Sequence, residues 1–245
     1  MIVLTALSAS LYAAILIPFK VIIPLIPGFT ELRPANVIPI LCSIFFGPAA
    51  AWGAAIGNLI GDTLGGTLGL GSIFGLFGNF LYGYIPYKIF SYKIESTHKA
   101  LRLIPVCLIS SLVCGVVIGW GVDAIGLIPF AALGNIIFLN NLIVSLILCP
   151  ILIKSLYPRI ERWGIMYKDI MDRKDLSTSK FSLLGKIFLW IGGVSGIIIG
   201  NLLSIGIYKS ALLSYGFSRG VSGEIGLTLG MLPSICLIAI AALLL

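Results

Sequence analysis

The chain has 245 residues, 59% of them hydrophobic and only 10% charged, with a mean hydropathy of +1.12. Soluble domains carry about a quarter charged residues, so the composition excludes a soluble globular protein and fits an integral membrane one. The net charge of +7 does not argue for nucleic acid, because the basic residues cluster between apolar runs as they do in cytoplasmic loops.

At about 20 residues per span, the length admits about six to eight helices. The apolar runs are continuous and do not alternate, which speaks against a spanning β-barrel. The first run covers Ile2–Ile26. It lacks a basic leader and reads as a retained first helix. A loop with two prolines follows, PGFTELRPA (27–35). The second span is short, Ala35–Phe46, and ends at Gly47-Pro48. The third covers Ala49–Leu64, and a glycine-rich bend, GGTLGLG (65–71), leads to the fourth at Ser72–Phe90. A polar loop (88–102) precedes the fifth and sixth spans, Leu103–Val122 and Ile125–Ile153. A basic segment, 154–186, separates these from two last spans, Ile187–Tyr208 and Ile225–Leu245.

The loop 88–102 and the segment 154–186 hold twelve of the 16 basic residues. With alternating spans both lie on one side, which the positive-inside rule makes the cytoplasm. The expectation is a multi-pass plasma-membrane protein with both termini cytoplasmic. Three parts follow: a six-helix unit (1–158), a basic linker (159–186) and a two-helix hairpin (187–245). Residues 159–173 mix aromatic and basic groups, as an interfacial amphipathic helix does; a solvated linker fits equally well.

Polar groups inside the apolar runs are the candidates for function. In GNLIGDTLGG (57–66), Asn58 and Asp62 share one helix face. Gly53, Gly57, Gly61, Gly65 and Gly69 mark a neighbouring stripe where another helix can approach closely. A carboxylate within a span is costly unless it faces protein or water. Asp62 therefore either lines a cavity or caps a helix end near the interface. The Gly-Asn pair recurs at Asn58, Asn79, Asn135 and Asn201, and Asn140 and Asn141 add two more amides. Such groups suit a polar, largely uncharged solute, or they hydrogen-bond helices together. Glu31, Arg33 and Asn36 sit in or beside the stiff loop TELRPAN (30–36), which reads as a lid over a cavity or as an ordinary exposed loop. In the first span, Ala6, Ala9, Ser10, Ala13 and Ala14 form a small-residue face, which reads as a contact surface for a helix of this chain or of another protein.

The five cysteines (Cys42, Cys107, Cys114, Cys149, Cys236) lie in apolar runs without metal-ligand spacing and read as packing. His98 is the lone histidine, in a charged loop. The chain has no H-E-x-x-H, G-x-S-x-G or Walker A motif. No enzyme, metal site or cofactor is expected, and ATP-driven transport would need a separate ATPase.

The small-residue face at Ala9 and Ala13, the loop ELRPAN, FFGPAAAWGAAIGNLIGD (45–62), GSIFGLFGNFLYGYIPYK (71–88) and ALGNIIFLNNLIVSLILCPIL (132–152) occur in an order that resembles the substrate-binding S components of energy-coupling factor (ECF) vitamin transporters. The resemblance covers about residues 1–160. It implies an all-α membrane protein: a six-helix S-component-like bundle plus a C-terminal two-helix hairpin, about eight spans in total. It implies binding, without catalysis, of a vitamin or vitamin-like micronutrient at the outer face. Glu31, Arg33, Asn36, Asn58, Asp62, Asn79, Asn135 and Asn140 are the candidate solute-binding residues. The resemblance further implies docking through Ala6, Ala9, Ser10 and Ala13 on a transmembrane T component that works with two ATPases. The S component then topples in the bilayer to release its solute. The ELRPAN loop is loosely similar to proteins assigned to queuosine-precursor uptake, and riboflavin-type members have related layouts. The hairpin is an addition to the family's pattern. An autonomous transporter or channel and a membrane scaffold remain the alternative readings.

Overall fold

A computed structural model describes residues 1–90, 101–172, 174–176, 179–206, 222–223 and 225–245. Lys93, His98, Lys99, Arg173 and most of the loop 209–224 lie outside the described residues.

The described residues are mostly helical: α1 (Ile2–Ile22), α2 (Val37–Phe46), α3 (Pro48–Leu64), α4 (Gly71–Ile89), α5 (Ile104–Ala124), α6 (Phe130–Trp163), α7 (Tyr167–Ile170), α8 (Ser182–Ser204) and α9 (Ile225–Leu244). Among the described residues, five stretches are long and apolar enough to cross a membrane: Ile2–Lys20, Ile104–Ala124, Phe130–Ile170, Ser182–Ser204 and Ile225–Leu244. The expected total of about eight also counts α2, α3 and α4. Of these, α2 has 10 residues and α3 has 17, while α4 carries Asn79 and Lys88.

The first span ends earlier than its apolar run suggests. After Ile22 the chain forms a small antiparallel ribbon, β1 (Pro24–Ile26) with β2 (Thr30–Glu31), and a 3₁₀ turn at Pro34–Asn36. At 1.5 Å per residue, α2 is about 15 Å long, half a hydrocarbon core. Residues 23–36 lead into it as largely irregular chain, in which Thr30, Glu31, Ala35 and Asn36 are buried while residues 23–25, 27–29 and 32 are exposed. The stretch TELRPAN (30–36) is therefore not an ordinary exposed loop, since Thr30, Glu31, Ala35 and Asn36 are buried against the protein. At the other end of α2, Gly47 takes φ +56, which reverses the chain, and Pro48 opens α3.

The glycine stripe of α3 receives α1. A Cβ on Gly57 would stand 2.8 Å from the carbonyl oxygen of Ala9, and one on Gly53 would stand 2.5 Å from Ser8 Cβ. The backbones meet directly, so van der Waals contact substitutes for the hydrophobic drive that lipid does not supply. Consequently Ala9 and Ala13 are buried within the chain, whereas Ala6, Ser10 and Ala14 are exposed. The expectation that Ala9 and Ala13 face another protein is corrected: both are buried within the chain, Ala9 against Gly53 and Gly57 of α3.

Helix α6 runs through residue 158 to Trp163 and stops at Gly164 in the left-handed region, φ +64. The boundary drawn at 158 therefore lies inside a helix. Of the expected amphipathic stretch, 159–163 is the last turn of α6, and only α7 follows as a separate helix. The hairpin α8–α9 shares a core with α5, in which Ile109, Leu112, Val113 and Val116 meet Leu189, Met231 and Ile238. Polar contacts fasten it at both ends. Asp123 accepts from the backbone N–H of Phe130 (2.6 Å) and of Gly223 (3.2 Å), and Trp120 Nε1 donates to Thr228 O at 3.2 Å. At the far end, Tyr84 Oη donates to Ala242 O (3.0 Å) and Lys88 Nζ to Leu245 O (2.9 Å).

Candidate functional site

A cavity of about 340 Å³ opens at the end of the bundle where α1 finishes and α4 begins. This is the small end of the about 300–1,000 Å³ typical of small-molecule sites. Its two sides differ. Arg33, Asn58, Asp62, Thr67, Ser72 and Asn79 line one, and Ile118, Val122, Leu127, Leu133 and Ile137 from α5, α6 and their connection line the other. Gly28 and Phe29, at the tip of the β-ribbon, reach over it.

The polar side is built on α3. Asn58 and Asp62 are one helical turn apart, and Asn58 Nδ2 donates to Asp62 Oδ2 at 3.1 Å. Arg33 Nη1 donates to Asn58 Oδ1 at 3.1 Å. Arg33 Nε also lies 2.8 Å from Glu31 Oε1, an ion pair without linear hydrogen-bond geometry.

Lys20, at the end of α1, closes the charge cluster. Its Nζ donates to Asp62 Oδ1 (2.8 Å) and to Thr67 Oγ1 (2.8 Å) and lies 4.0 Å from Glu31 Oε1. Two cations and two carboxylates thus neutralise one another in a nearly dry setting, where an unpaired charge would be expensive. Through this cluster, α1, the segment 23–36, α3 and the bend 65–71 are tied together. Beneath it lies a neutral layer. Tyr12 Oη donates to Asn36 Oδ1 (2.8 Å) or Asn79 Oδ1 (3.1 Å), Asn36 Nδ2 donates to Asn141 Oδ1, and Tyr82 Oη to Asn36 O at 3.1 Å. Asn140 holds the segment from the other flank: its Nδ2 donates to Glu31 O at 2.7 Å, and its Oδ1 accepts from Arg33 N at 3.3 Å.

Of the eight residues expected at the site, Arg33, Asn58, Asp62 and Asn79 line the cavity, and Glu31, Asn36 and Asn140 hold the segment above it. Asn135 is elsewhere. Its amide exchanges hydrogen bonds with Asn201 of α8 at 2.6 and 3.0 Å, joining α6 to the hairpin. Sequence reasoning missed Lys20, Tyr12, Thr67 and Phe29. The signal for Lys20 was present: a lone cation near the end of the first apolar run calls for a named acidic partner.

A family model described as QueT transporter matches residues 2–158. No curated protein and no solved structure matches the chain.

Proposed function

Because the chain belongs to the QueT transporter family, and is thereby a membrane transport protein of the S-component kind, we propose that it captures a queuosine precursor for an ECF-type importer. The cavity carries this reading. It is open at one end of the bundle, polar on one wall and apolar on the other, and bordered by Gly28, Phe29 and Arg33, whose guanidinium reaches the Asn58–Asp62 pair. A flat, polar heterocycle fits such walls.

The rest of the proposal concerns direction and coupling. The cavity end faces outward, because Lys88, Arg102, Lys154, Arg159 and Arg162 all lie at or beyond the opposite ends of their helices. Both termini are then cytoplasmic. A transmembrane T component with two ATPases supplies the energy. It docks on the exposed small residues of α1, namely Ala6, Ser10 and Ala14, while the family assignment points away from catalysis.

The test is native mass spectrometry of the purified chain in mild detergent after exposure to 7-aminomethyl-7-deazaguanine, riboflavin and unrelated vitamins. Retention of the deazaguanine alone supports the proposal. A folded protein that retains riboflavin, or nothing from the panel, refutes it. Co-purification with a T component and ATPases tests the coupling separately.

A further inference from the structure

The side-chain atoms around the cavity leave a specific set of hydrogen-bonding positions unused. Asp62 Oδ2 accepts one hydrogen bond, from Asn58. A carboxylate oxygen has room for two. Asn58 Oδ1 likewise accepts one, from Arg33 Nη1, and retains a second position. Arg33 places Nη1 on Asn58 and Nε beside Glu31; among the described residues its Nη2 donates to nothing. The open positions are therefore a guanidinium donor at one end and two acceptors beyond it, Asn58 Oδ1 and Asp62 Oδ2, spread over one helical turn. By contrast, Lys20 Nζ and Glu31 are turned toward each other and toward Asp62 and Arg33.

Resting on the proposed uptake of a queuosine precursor, we infer that Arg33, Asn58 and Asp62 read the 2-amino-4-oxopyrimidine edge of a guanine-type base. The ring carbonyl accepts from Arg33, and the ring N–H and the exocyclic amino group donate to Asn58 Oδ1 and Asp62 Oδ2. The complement is exact in kind: one acceptor and two donors on the base meet one donor and two acceptors on the protein. Hypoxanthine lacks the amino group and leaves one protein group unpaired, whereas adenine offers that edge neither the carbonyl, the ring N–H nor the 2-amino group and mismatches all three. The ring face lies against Ile118, Val122 and Ile137, which place no demand on the substituent at the far side of the bicycle. The site thus selects the base edge and tolerates variation at the five-membered ring.

The experiment is competition for bound, labelled 7-aminomethyl-7-deazaguanine on the full-length protein in detergent. The competitors are 7-deazaguanine, 7-deazahypoxanthine and 7-deazaadenine. Expected is competition by 7-deazaguanine, a loss of about 10- to 100-fold for 7-deazahypoxanthine, the cost of one buried unpaired group, and a larger loss for 7-deazaadenine, which mismatches all three positions. In Asp62→Asn, where an acceptor becomes a donor, 7-deazaguanine loses its advantage over 7-deazahypoxanthine. If all three analogues compete equally with the wild-type chain, the edge assignment is overturned while precursor uptake stands. If the labelled precursor itself does not bind to folded protein, both are overturned. The comparison of analogues uses only the wild-type chain, so the outcome does not depend on the folding of the variant.

Discussion

Lys20→Met tests whether the charge cluster holds the capping segment in place. The side chains of Lys20 and Asp62 are 3% and 10% exposed, and Nζ sits 2.8 Å from Oδ1. Removing one partner of a buried pair costs about 3–5 kcal/mol, because the remaining charge is stranded. Here Asp62 keeps Asn58 and borders a cavity, so the lower figure applies, about 3 kcal/mol. For a chain of this size, 1 kcal/mol moves the melting temperature by about 2–4 °C, which gives a drop of about 6–12 °C for the empty protein in mild detergent. Asp62→Asn strands Lys20 in the same way, with Glu31 as its distant remaining counter-charge at 4.0 Å. The double variant removes both charges, so the two losses do not add, and a coupling of about 2 kcal/mol is expected. Thermal unfolding of the four proteins, followed by intrinsic fluorescence, supplies the cycle. Additive losses, with coupling under about 0.5 kcal/mol, would show that the pair does not organise this end of the molecule.

Three further outcomes are expected. Phe29→Ala removes the aromatic ring over the cavity and weakens binding of a flat base by about 1–3 kcal/mol, measured by titration calorimetry; an unchanged affinity would place the ring off the ligand. Gly57→Ala forces a Cβ against the Ala9 carbonyl oxygen and costs about 1–3 kcal/mol of stability, whereas Ser10→Ala on the exposed face of α1 leaves the melting temperature unchanged; equal melting of the two would contradict the seam. Asn201→Leu breaks the amide pair with Asn135 and costs about 0.6–1.7 kcal/mol without altering solute affinity. A loss of affinity in that variant would move the pair into the binding site.

The parts of this architecture that were legible in the sequence are those where a polar group stands out against an apolar run. Asn58 and Asp62 were visible because a carboxylate in a span needs a reason, and they line the cavity. The glycine stripe announced close packing but not its partner. The identity of α1 as that partner depends on a chain reversal at Gly47 that pattern alone does not orient. Ala9 and Ala13 carried the right meaning, close approach, and the wrong addressee. The signal at Lys20 was ambiguous, since a lysine near the end of an apolar run also looks like an interfacial anchor. The recurring Gly-Asn pair contained both Asn135 and Asn201, yet spacing along a chain cannot tell an amide that meets a solute from one that meets another amide. The burial of Thr30, Glu31, Ala35 and Asn36 was also illegible, because the prolines and charges of residues 27–36 are the usual composition of a surface loop.

The ion pair between Lys20 and Asp62 also bears on how the chain enters the bilayer. Its members are 42 residues apart, so during synthesis α1 leaves the ribosome with its lysine long before the carboxylate exists. A charged residue placed near the end of a nascent span can snorkel to the headgroups, and Lys20 is confined to that refuge until α3 follows. The seam of glycines then lets α3 slide against α1 with no side chains in the way, and the carboxylate arrives at the lysine as the last turn of α3 seats. Insertion of α1 is thus provisional, and the arrival of Asp62 makes it final.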